Sequence, residues 1–532
     1  MRWMCERGID VFFEVPGETF LSILDALYEE KRVRVAVMRH EGGASFAAEA
    51  FAKFAGRPAL CMATRGPGAS NLSIGVQTAH YDGTPLIALT GLIPRSMQGG
   101  RAFQEFDPTS MFSSISKRVF VVNSPEALLP TLDQALDIAT SGRPGPVVIG
   151  LPTDILSGTV PGDIARRDVI TPEWGGGDVQ WLADALDAAR SPAILVATSA
   201  ERGAAASAIA QLSLEANLPV FCAWRRFSAF DNGHPNFVGS IGIGQRSNVN
   251  DALAKADFVL SFGFAIEQIT CQNAQLDRAG RRIIQIAAGV DEDARRQVPS
   301  ADLLQVIDNP TRVANALRSH YEARAKHTST SPTAMEKPSA ADESPRGVED
   351  GELRMDVLMA TLDRKLPQNA IVTCDAGNFA QWRVRHVSFG GSRVFLGALD
   401  GAMGYGLPAA IGAELAAPGR SCFVFAGDGG SLMSSPDLES AVRLDLSTVV
   451  FVFDNHLFGT IRAKQEDQYP GRPMGTELGP VDFGQLARAS GWKSWTVRSS
   501  EEIAPAIDEV LSEDGCRLVH FVLGQLPLKP AN

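Results

Sequence analysis

The sequence predicts an α/β protein with three doubly wound parallel sheets. Short apolar runs alternate with helical patterns, this alternation occurs in three stretches of similar length, and a polar segment precedes the last stretch. Strands that alternate with helices form parallel sheets that are covered by helices on both faces. We therefore expect domains at residues 1–162, 175–321 and 351–532, with a linker at residues 322–350.

Twelve apolar runs mark the predicted strands, four in each stretch. They lie at residues 33–38, 59–63, 86–90 and 147–150, then at 193–197, 218–222, 258–262 and 283–286, and finally at 370–373, 422–426, 448–453 and 518–522. Small residues at 43–54 predict a helix. The segment 322–350 is rich in Ser, Thr, Pro, Ala and charge, and it has almost no large apolar residue. Because it cannot bury enough apolar surface to offset the entropy of ordering, we expect a linker there.

Composition excludes several classes of function. The 61 acidic and 49 basic residues give a net charge of −12, so no general positive field attracts nucleic acid or an anionic membrane. The seven cysteines are scattered and form no CxxC pair, which argues against a disulfide framework and a zinc site. The sequence contains neither a long uncharged apolar run nor a signal peptide at its start. We expect a cytoplasmic protein with no nucleic-acid or membrane partner.

Polar residues follow two predicted strands of the third stretch and form the strongest functional pattern. Gly427, Asp428, Gly429 and Gly430 follow one strand, and Asn455 follows the next strand along the chain. Because parallel strands end at one edge of a sheet, Asp428 and Asn455 should lie close together. Their oxygens suit Mg²⁺, and the glycines let the backbone approach a phosphate. The alternative, a capped turn and an unrelated asparagine turn, does not explain the spacing.

This pattern resembles the signature of the thiamine diphosphate-dependent enzymes, which is GDG followed by Asn-Asn. In this chain Asp454 replaces the first asparagine, and the metal-binding asparagine is retained as Asn455. The resemblance implies thiamine diphosphate and Mg²⁺ as cofactors, with Asp428, Asn455 and the carbonyl of Leu457 as metal ligands. It also implies that the first domain binds the pyrimidine and the last domain binds the diphosphate.

Glu41 lies in the segment HEGGASFAAEAFA, between a predicted strand and a predicted helix. An acid at a helix N-terminus is common, because the helix dipole favours it. The family resemblance implies a catalytic role instead. A glutamate at the matching place hydrogen-bonds N1′ of the aminopyrimidine, which lets the cofactor lose its C2 proton and act as a nucleophile.

Four further segments are similar to segments of the acetolactate synthase branch of this family, in its large catalytic subunit. They are TRGPGASN at 64–71, RAFQEFD at 101–107, SISKRV around Lys117, and SGRPGPVVIGLP at 141–152. The resemblance implies that Phe103, Gln104 and Lys117 lie near the substrate. Taken singly, they could equally be a core aromatic residue, a surface amide and a solvated lysine.

The last domain contains further residues for which the resemblance implies cofactor contacts. These residues are Gly377, Asn378, Phe379, Gly401, Met403 and Gly459. Met403 matches the methionine that holds the cofactor bent, which brings its 4′-imino group near C2. The alternative is a core methionine near a helix start.

Two segments depart from the branch, one in the last domain and one in the middle domain. Ile461 and Lys464 fall in the segment that selects the second substrate, and Lys464 replaces a tryptophan. A flexible cation cannot form the same apolar pocket, but it could meet a second carboxylate or a phosphate. In the middle domain, residues 263–267 lack the arginine and acidic pair that help hold FAD, which argues against FAD binding.

The resemblance implies an acetolactate synthase-like reaction, in which a 2-keto acid is decarboxylated and the remaining unit is joined to a second carbonyl. It also implies a homodimer or homotetramer with each active site between subunits. Two alternatives remain open: a simple 2-keto acid decarboxylase, and a non-catalytic nucleotide-binding or regulatory α/β protein. The shortage of histidines favours ligation. The joint presence of Glu41, Asp428 and Asn455 favours an enzyme.

Overall fold

The computed structural model describes residues 1–158, 179–197, 204–325, 353–525 and 530. Within these residues it contains three six-stranded sheets. Neighbouring strands pair in parallel throughout each sheet, and helices connect them. The predicted fold class is therefore confirmed.

The first sheet has the strand order β2-β1-β3-β4-β6-β5. Its strands are β1 Val11–Glu14, β2 Arg34–Val37, β3 Ala59–Ala63, β4 Leu86–Leu92, β5 Arg118–Val121 and β6 Val147–Pro152. The α-helices of this domain are Arg2–Glu6, Leu21–Glu29, Glu41–Ala55, Gly66–Asp82, Pro108–Phe112, Pro125–Thr140 and Thr153–Leu156, and the 3₁₀ helices are Glu18–Phe20 and Arg95–Met97.

The second sheet has the strand order β12-β11-β10-β7-β8-β9. Its strands are β7 Pro192–Ala197, β8 Val220–Cys222, β9 Phe237–Ser240, β10 Phe258–Gly263, β11 Arg282–Ala287 and β12 Asp302–Ile307. The helices of this domain are Gln180–Asp187, Ala204–Glu215, Ser247–Ala254, Gln268–Asn273, Ala294–Gln297 and Pro310–Ala325.

The third sheet has the strand order β14-β13-β15-β16-β18-β17. Its strands are β13 Ile371–Cys374, β14 Val394–Gly397, β15 Cys422–Gly427, β16 Val449–Asp454, β17 Lys493–Val497 and β18 Arg517–Val522. The helices of this domain are Met355–Lys365, Phe379–His386, Gly406–Ala416, Asp428–Ser434, Asp437–Arg443, Gly459–Gln468, Phe483–Ala489 and Ser500–Ser512.

Each of the twelve predicted runs overlaps a strand, but six strands were not predicted. Five of these six, namely β5, β9, β12, β14 and β17, lie at sheet edges. Edge strands such as β12 and β17 are partly exposed, so their sequences contain no continuous apolar run. The helix Pro310–Ala325 extends into the first residues of the predicted linker 322–350. The rest of that linker, and the predicted limits at 162, 175 and 351, lie outside the described residues.

The helix Glu41–Ala55 packs against the helix Gly406–Ala416 of the third domain, and the two share one hydrophobic core. A Cβ atom on Gly412 would overlap the carbonyl of Ala47, so only glycine permits this close approach. All seven cysteines are free. No helix among the described residues is long and apolar enough to cross a membrane.

Candidate active site

Two neighbouring strands of the third sheet place the polar residues of the strongest motif side by side. Gly427 pairs with Phe453 in the register of β15 and β16, so both strands end at the same edge. Asp428 begins the next helix immediately after β15, and Asn455 follows Asp454 at the end of β16. The arrangement expected from the spacing is therefore present.

The carboxylate of Asp428 lacks a complete set of partners. The residue is 6% exposed, and its buried Oδ2 atom has no hydrogen-bond donor among the described residues. Burial, together with the negative charge of Asp454, raises the pKa of Asp428 to about 7. A cation beside this oxygen would supply the charge that the chain itself does not provide.

The turn after β16 is fixed by Asp454, which sequence reasoning did not assign to the site. Asp454 Oδ2 lies 2.8 Å from His520 Nε2, and Asp454 Oδ1 accepts a hydrogen bond from the backbone N–H of His456 at 3.0 Å. Burial alone would raise the pKa of Asp454, but these hydrogen bonds lower it. Asn455 Oδ1 in turn accepts the N–H of Leu457 at 3.2 Å. Asp454 therefore holds the segment that contains the predicted metal ligands.

A second combination of ligand atoms also occurs at this edge. One ligand atom each from Asp428, Asp454 and His456 lie within 4.8 Å of one another. Both oxygens of Asp454 already have hydrogen-bond partners, His520 Nε2 and the N–H of His456, whereas Asp428 Oδ2 has none within the described ranges. This difference favours Asp428 as the first ligand. The predicted set of Asp428, Asn455 and the Leu457 carbonyl stays a prediction.

A cavity of about 320 Å³ opens at this sheet edge. Most of the residues predicted from the last domain line it: Gly377, Asn378, Phe379, Gly401, Met403, Gly427, Asp428, Gly429, Gly430, Leu457, Gly459 and Ile461. The middle domain adds Trp224, Arg225, Ile243 and Ile269 to the lining. Asn455 is buried and does not line this cavity, and Lys464 is exposed on the helix that begins at Gly459.

Close approaches inside this lining explain two of the glycines. A Cβ atom on Gly430 would overlap Oδ2 of Asp375, and one on Gly459 would lie 2.6 Å from Asn378 Oδ1. Asp375 is buried beneath this loop, and its Oδ1 accepts the N–H of Tyr405 at 2.8 Å. Burial raises the pKa of Asp375 to about 7. The sequence contains one indication of Asp375: it is a polar residue immediately after Cys374, where a predicted strand ends.

An aromatic pair packs beside the cavity. Phe379 is 3% exposed, and its ring stacks on Phe453 at a centroid distance of 5.2 Å and an angle of 12°. Met403 is half-buried and also lines the cavity. The position of Phe379 therefore suits an apolar wall better than a polar contact to a phosphate.

Glu41 lies at the carboxyl edge of the first sheet. The residue is half-buried and begins its helix, whose first turn is capped by His40 Nδ1 accepting the N–H of Gly42 at 3.0 Å. Asn71 Nδ2 donates to Glu41 Oε2 at 2.9 Å. Asn71 belongs to the quoted TRGPGASN segment, but its contact with Glu41 was not predicted. Glu41 does not line the cavity in its own chain.

The other residues predicted from the first domain are also absent from that lining. Phe103 is 77% exposed, and Gln104 has a positive φ of 62° while its carbonyl accepts the N–H of Gly66 at 3.1 Å. The amine of Lys117 donates to the carbonyls of Ile138 and Ser141, at the end of a helix. Burial lowers the pKa of Lys117, and the positive charge of Arg143 lowers it further. This lysine therefore has a helix-capping role in the chain, and its place near a substrate stays a prediction.

Comparison with known proteins identifies the family. Residues 1–111 match the N-terminal TPP binding domain of the thiamine pyrophosphate enzymes, residues 179–317 match the central domain, and residues 375–521 match the C-terminal TPP binding domain. The probable acetolactate synthase large subunit of Methanocaldococcus jannaschii is 31% identical, over 98% of this chain and 91% of that protein. The chain belongs to the thiamine pyrophosphate-dependent enzymes of acetolactate synthase type. The resemblance stated from the motifs is thereby confirmed, and the non-catalytic alternative was wrong.

Two further relatives agree with this family. The acetolactate synthase isozyme 2 large subunit of Escherichia coli is 27% identical, over 98% of this chain and 95% of that protein. A thiamine diphosphate-dependent 4-hydroxybenzoylformate decarboxylase from Rhodococcus jostii RHA1 has a TM-score of 0.84 and 22% identity, and the match covers 99% of this chain and 98% of that one. At this identity the solved structure shows the thiamine pyrophosphate enzyme fold alone.

The cavity fits the cofactor of this family. Asp428 Oδ2 is a buried acceptor without a donor, as expected of a metal ligand. The glycines at 427, 429, 430 and 459 keep side chains away from this edge, and a Cβ atom on Gly430 or Gly459 would displace the side chain of Asp375 or Asn378. A metal-bound diphosphate would therefore find both a carboxylate and open backbone here.

Proposed function

We propose that this enzyme uses thiamine diphosphate and Mg²⁺ to decarboxylate a 2-keto acid and to join the remaining unit to a second carbonyl. The observation that carries the proposal is the buried, unpartnered Oδ2 atom of Asp428 at the edge of a glycine-lined cavity. The acetolactate synthase relatives, which match along almost the whole chain, support the ligation step.

The residues of the third domain would hold the cofactor. Asp428, Asn455 and the carbonyl of Leu457 would bind Mg²⁺, and the glycine backbone at 427–430 would face the diphosphate. Met403 would support the bent form of the cofactor. When bound, the cofactor supplies a carbon nucleophile and an electron sink for the loss of carbon dioxide.

The residues of the first domain would move the proton. Glu41 would hold a proton at the aminopyrimidine, and Asn71 would orient its carboxylate through the 2.9 Å hydrogen bond. Because Glu41 does not line the cavity of its own chain, a second copy of the protein would supply this group. We therefore propose a homodimer or homotetramer with each site between two subunits, where the exposed Phe103 would also be covered.

The test is turnover of pyruvate by purified protein with thiamine diphosphate and Mg²⁺, with carbon dioxide and acetolactate followed separately. Formation of both products supports the proposal. Carbon dioxide with acetaldehyde but no acetolactate would instead establish a simple decarboxylase. If cofactor binds without pyruvate turnover, larger and dianionic 2-keto acids test the substrate, because Lys464 offers a positive charge on the helix that contains Ile461.

One observation favours ligation over simple decarboxylation. No histidine is among the described residues that line the cavity, so this half of the site offers no imidazole to protonate a reaction intermediate.

Glu41→Gln tests the role of the catalytic glutamate. The amide keeps the shape but cannot hold the proton, so we expect turnover to fall by about 10²–10⁴-fold. Binding of thiamine diphosphate, measured by calorimetry, should persist. Unchanged turnover would remove Glu41 from the mechanism without affecting the assignment of the third-domain site.

A further inference from the structure

A buried cluster of charged residues joins the three domains beside the cavity. Glu49 and Lys53 lie one turn apart in the helix Glu41–Ala55, and their side chains are 0% and 4% exposed. Lys53 Nζ lies 2.9 Å from Glu49 and 3.1 Å from Asp82 Oδ2. Arg226 of the middle domain lies 3.3 Å from the other oxygen of Asp82. Two acids and two bases therefore balance, as burial of charge requires.

Hydroxyl groups complete the pairing of Glu49. Tyr405 Oη, from the third domain, donates to Glu49 Oε2 at 2.8 Å, and Thr84 Oγ1 donates to Glu49 Oε1 at 2.7 Å. Lys53 Nζ also lies 3.4 Å from Tyr405 Oη. Because removal of any member leaves a buried charge or acceptor unpaired, the cluster should have one stable arrangement.

The same cluster holds the segment 397–403, which lines the cavity through Gly401 and Met403. Asp82 Oδ2 accepts the N–H of Leu399 at 3.1 Å, and Lys53 Nζ donates to the carbonyl of Gly397 at 3.4 Å. These bonds come from helices of the first domain of the same chain. The buried charges therefore bind Leu399, which itself lines the cavity.

Three further hydrogen bonds fix the middle of this segment. Thr78 Oγ1 donates to Asp400 Oδ2 at 2.9 Å, and Asp400 Oδ1 accepts the N–H of Ala402 at 3.2 Å. Arg225 Nη1 donates to the carbonyl of Ala398 at 2.6 Å. The backbone before Gly401 is thus bound by groups from the first and middle domains, and Ala402 after it is bound by Asp400, which Thr78 holds in turn.

We propose that Asp82, Lys53 and Thr78 are positioning residues that set the affinity for thiamine diphosphate by holding the segment 397–403 against the cavity. None of them lines the cavity, so they act through Leu399, Asp400 and the residues that follow. The proposal rests on the cofactor site proposed above. It differs from a cluster that only joins domains, because such a cluster would change stability without changing cofactor affinity.

The test compares Asp82→Asn with Asp363→Asn. Asp363 is 30% exposed and lies 2.7 Å from Arg393, whose side chain is 4% exposed, so the control also removes the charge of an acid in a partly buried ion pair of the third domain, and neither partner lines the cavity. Both variants should melt at lower temperature than the wild type. Only Asp82→Asn should raise the Kd for thiamine diphosphate in Mg²⁺, by about 10-fold or more, measured by calorimetry. An unchanged Kd for folded Asp82→Asn would overturn the proposal.

Thr78→Val keeps the test decisive if Asp82→Asn does not fold. The change removes one hydroxyl at nearly constant volume and frees Asp400 from its donor, so the Kd should rise several-fold. Thr90→Val is the matched control, because the buried Thr90 hydroxyl has no hydrogen-bond partner among the residues that the structure describes. Equal Kd values for the two variants would contradict the proposal. A wild-type protein that binds no thiamine diphosphate would contradict the proposed function instead, which separates the two failures.

Discussion

The region around Asp428 and the region around Glu41 both lie at the carboxyl edge of a parallel sheet, but Glu41 does not line the cavity that Asp428 lines within one chain. The Asp428 region is assembled from the third and middle domains and is mostly buried. In the first domain, Glu41 is half-buried and the predicted site residue Phe103 is exposed. The Asp428 region therefore forms a cavity from two domains of one chain, whereas the Glu41 region is more exposed.

The two regions are nevertheless in contact within one chain. Asp437 Oδ1, in the second helix after β15, accepts the N–H of Arg39 at 2.9 Å, and a Cβ atom on Gly43 would overlap Asp437 Oδ2. The third domain thus fixes the turn that contains Glu41. The hydrogen bond to the Glu41 carboxylate comes instead from Asn71 of the first domain. This contact explains how one chain can orient Glu41 and still leave it outside its own cavity.

The largest expected effect follows from Asp428→Asn. The change removes the negative charge that the metal requires, so we expect turnover to fall by at least about 10³-fold and Mg²⁺-dependent cofactor binding to be lost. Turnover and calorimetry with thiamine diphosphate measure the two effects. Glu41→Gln is the matched comparison, since it should lose turnover but keep binding. If Asp428→Asn bound the cofactor as tightly as the wild type, the proposed difference in role between the two regions would be wrong.

Mixed oligomers of Asp428→Asn and Glu41→Gln test whether the two regions meet across subunits. Each variant alone should be inactive, but a mixed dimer would combine the intact Glu41 of one chain with the intact Asp428 of the other. With random mixing, half of the dimers are mixed and each has one intact site, so activity should return to roughly a quarter of the wild-type value. No recovery in mixed dimers that are shown to form would place both groups of one site in a single chain.

The sequence predicted the site residues that follow strand ends, but it did not predict the polar residues that tertiary packing buries. Asp428 and Asn455 were found because apolar runs locate the strand ends of an open sheet. Asp375 was missed because a buried acid beneath a glycine loop leaves no spacing pattern. Glu49 and Lys53 look like an exposed i,i+4 pair, and only the packing of the helix Glu41–Ala55 shows that they are buried.

Glu14 gives a smaller, pH-dependent test of the first-domain region. Both of its carboxylate oxygens are buried and have no hydrogen-bond partner in the described part of the chain. Burial raises the pKa of Glu14 to about 7, even though the positive charge of Arg443 lowers it. The folded protein therefore binds this proton more tightly than the unfolded chain, so stability is lost as pH rises from about 4.5 to 7. The penalty is on the order of 3 kcal/mol at pH 8.

Glu14→Gln should remove this penalty. We expect the melting temperature of the variant, relative to the wild type, to be higher at pH 8 than at pH 5, because Glu14 is protonated in the folded wild type at the lower pH. Thr90→Val is a control that changes a buried polar group without adding a titration. An equal difference at both pH values would show that the carboxylate finds a partner in solution, as a covering subunit could provide.

The smallest expected effect concerns Lys464, at the outer side of the Asp428 region. The residue is exposed and follows Ile461, which lines the cavity, by about one helical turn, but it is not itself part of the lining. Lys464→Gln should lower kcat/KM for a dianionic 2-keto acid by about 5-fold and leave kcat/KM for pyruvate unchanged, because exposed charge pairs contribute little. The loss should shrink in high salt. Lys255→Gln, at an exposed site of the middle domain, is the control. Equal losses for both keto acids would mean that Lys464 supports the shape of the helix and does not select a second negative charge.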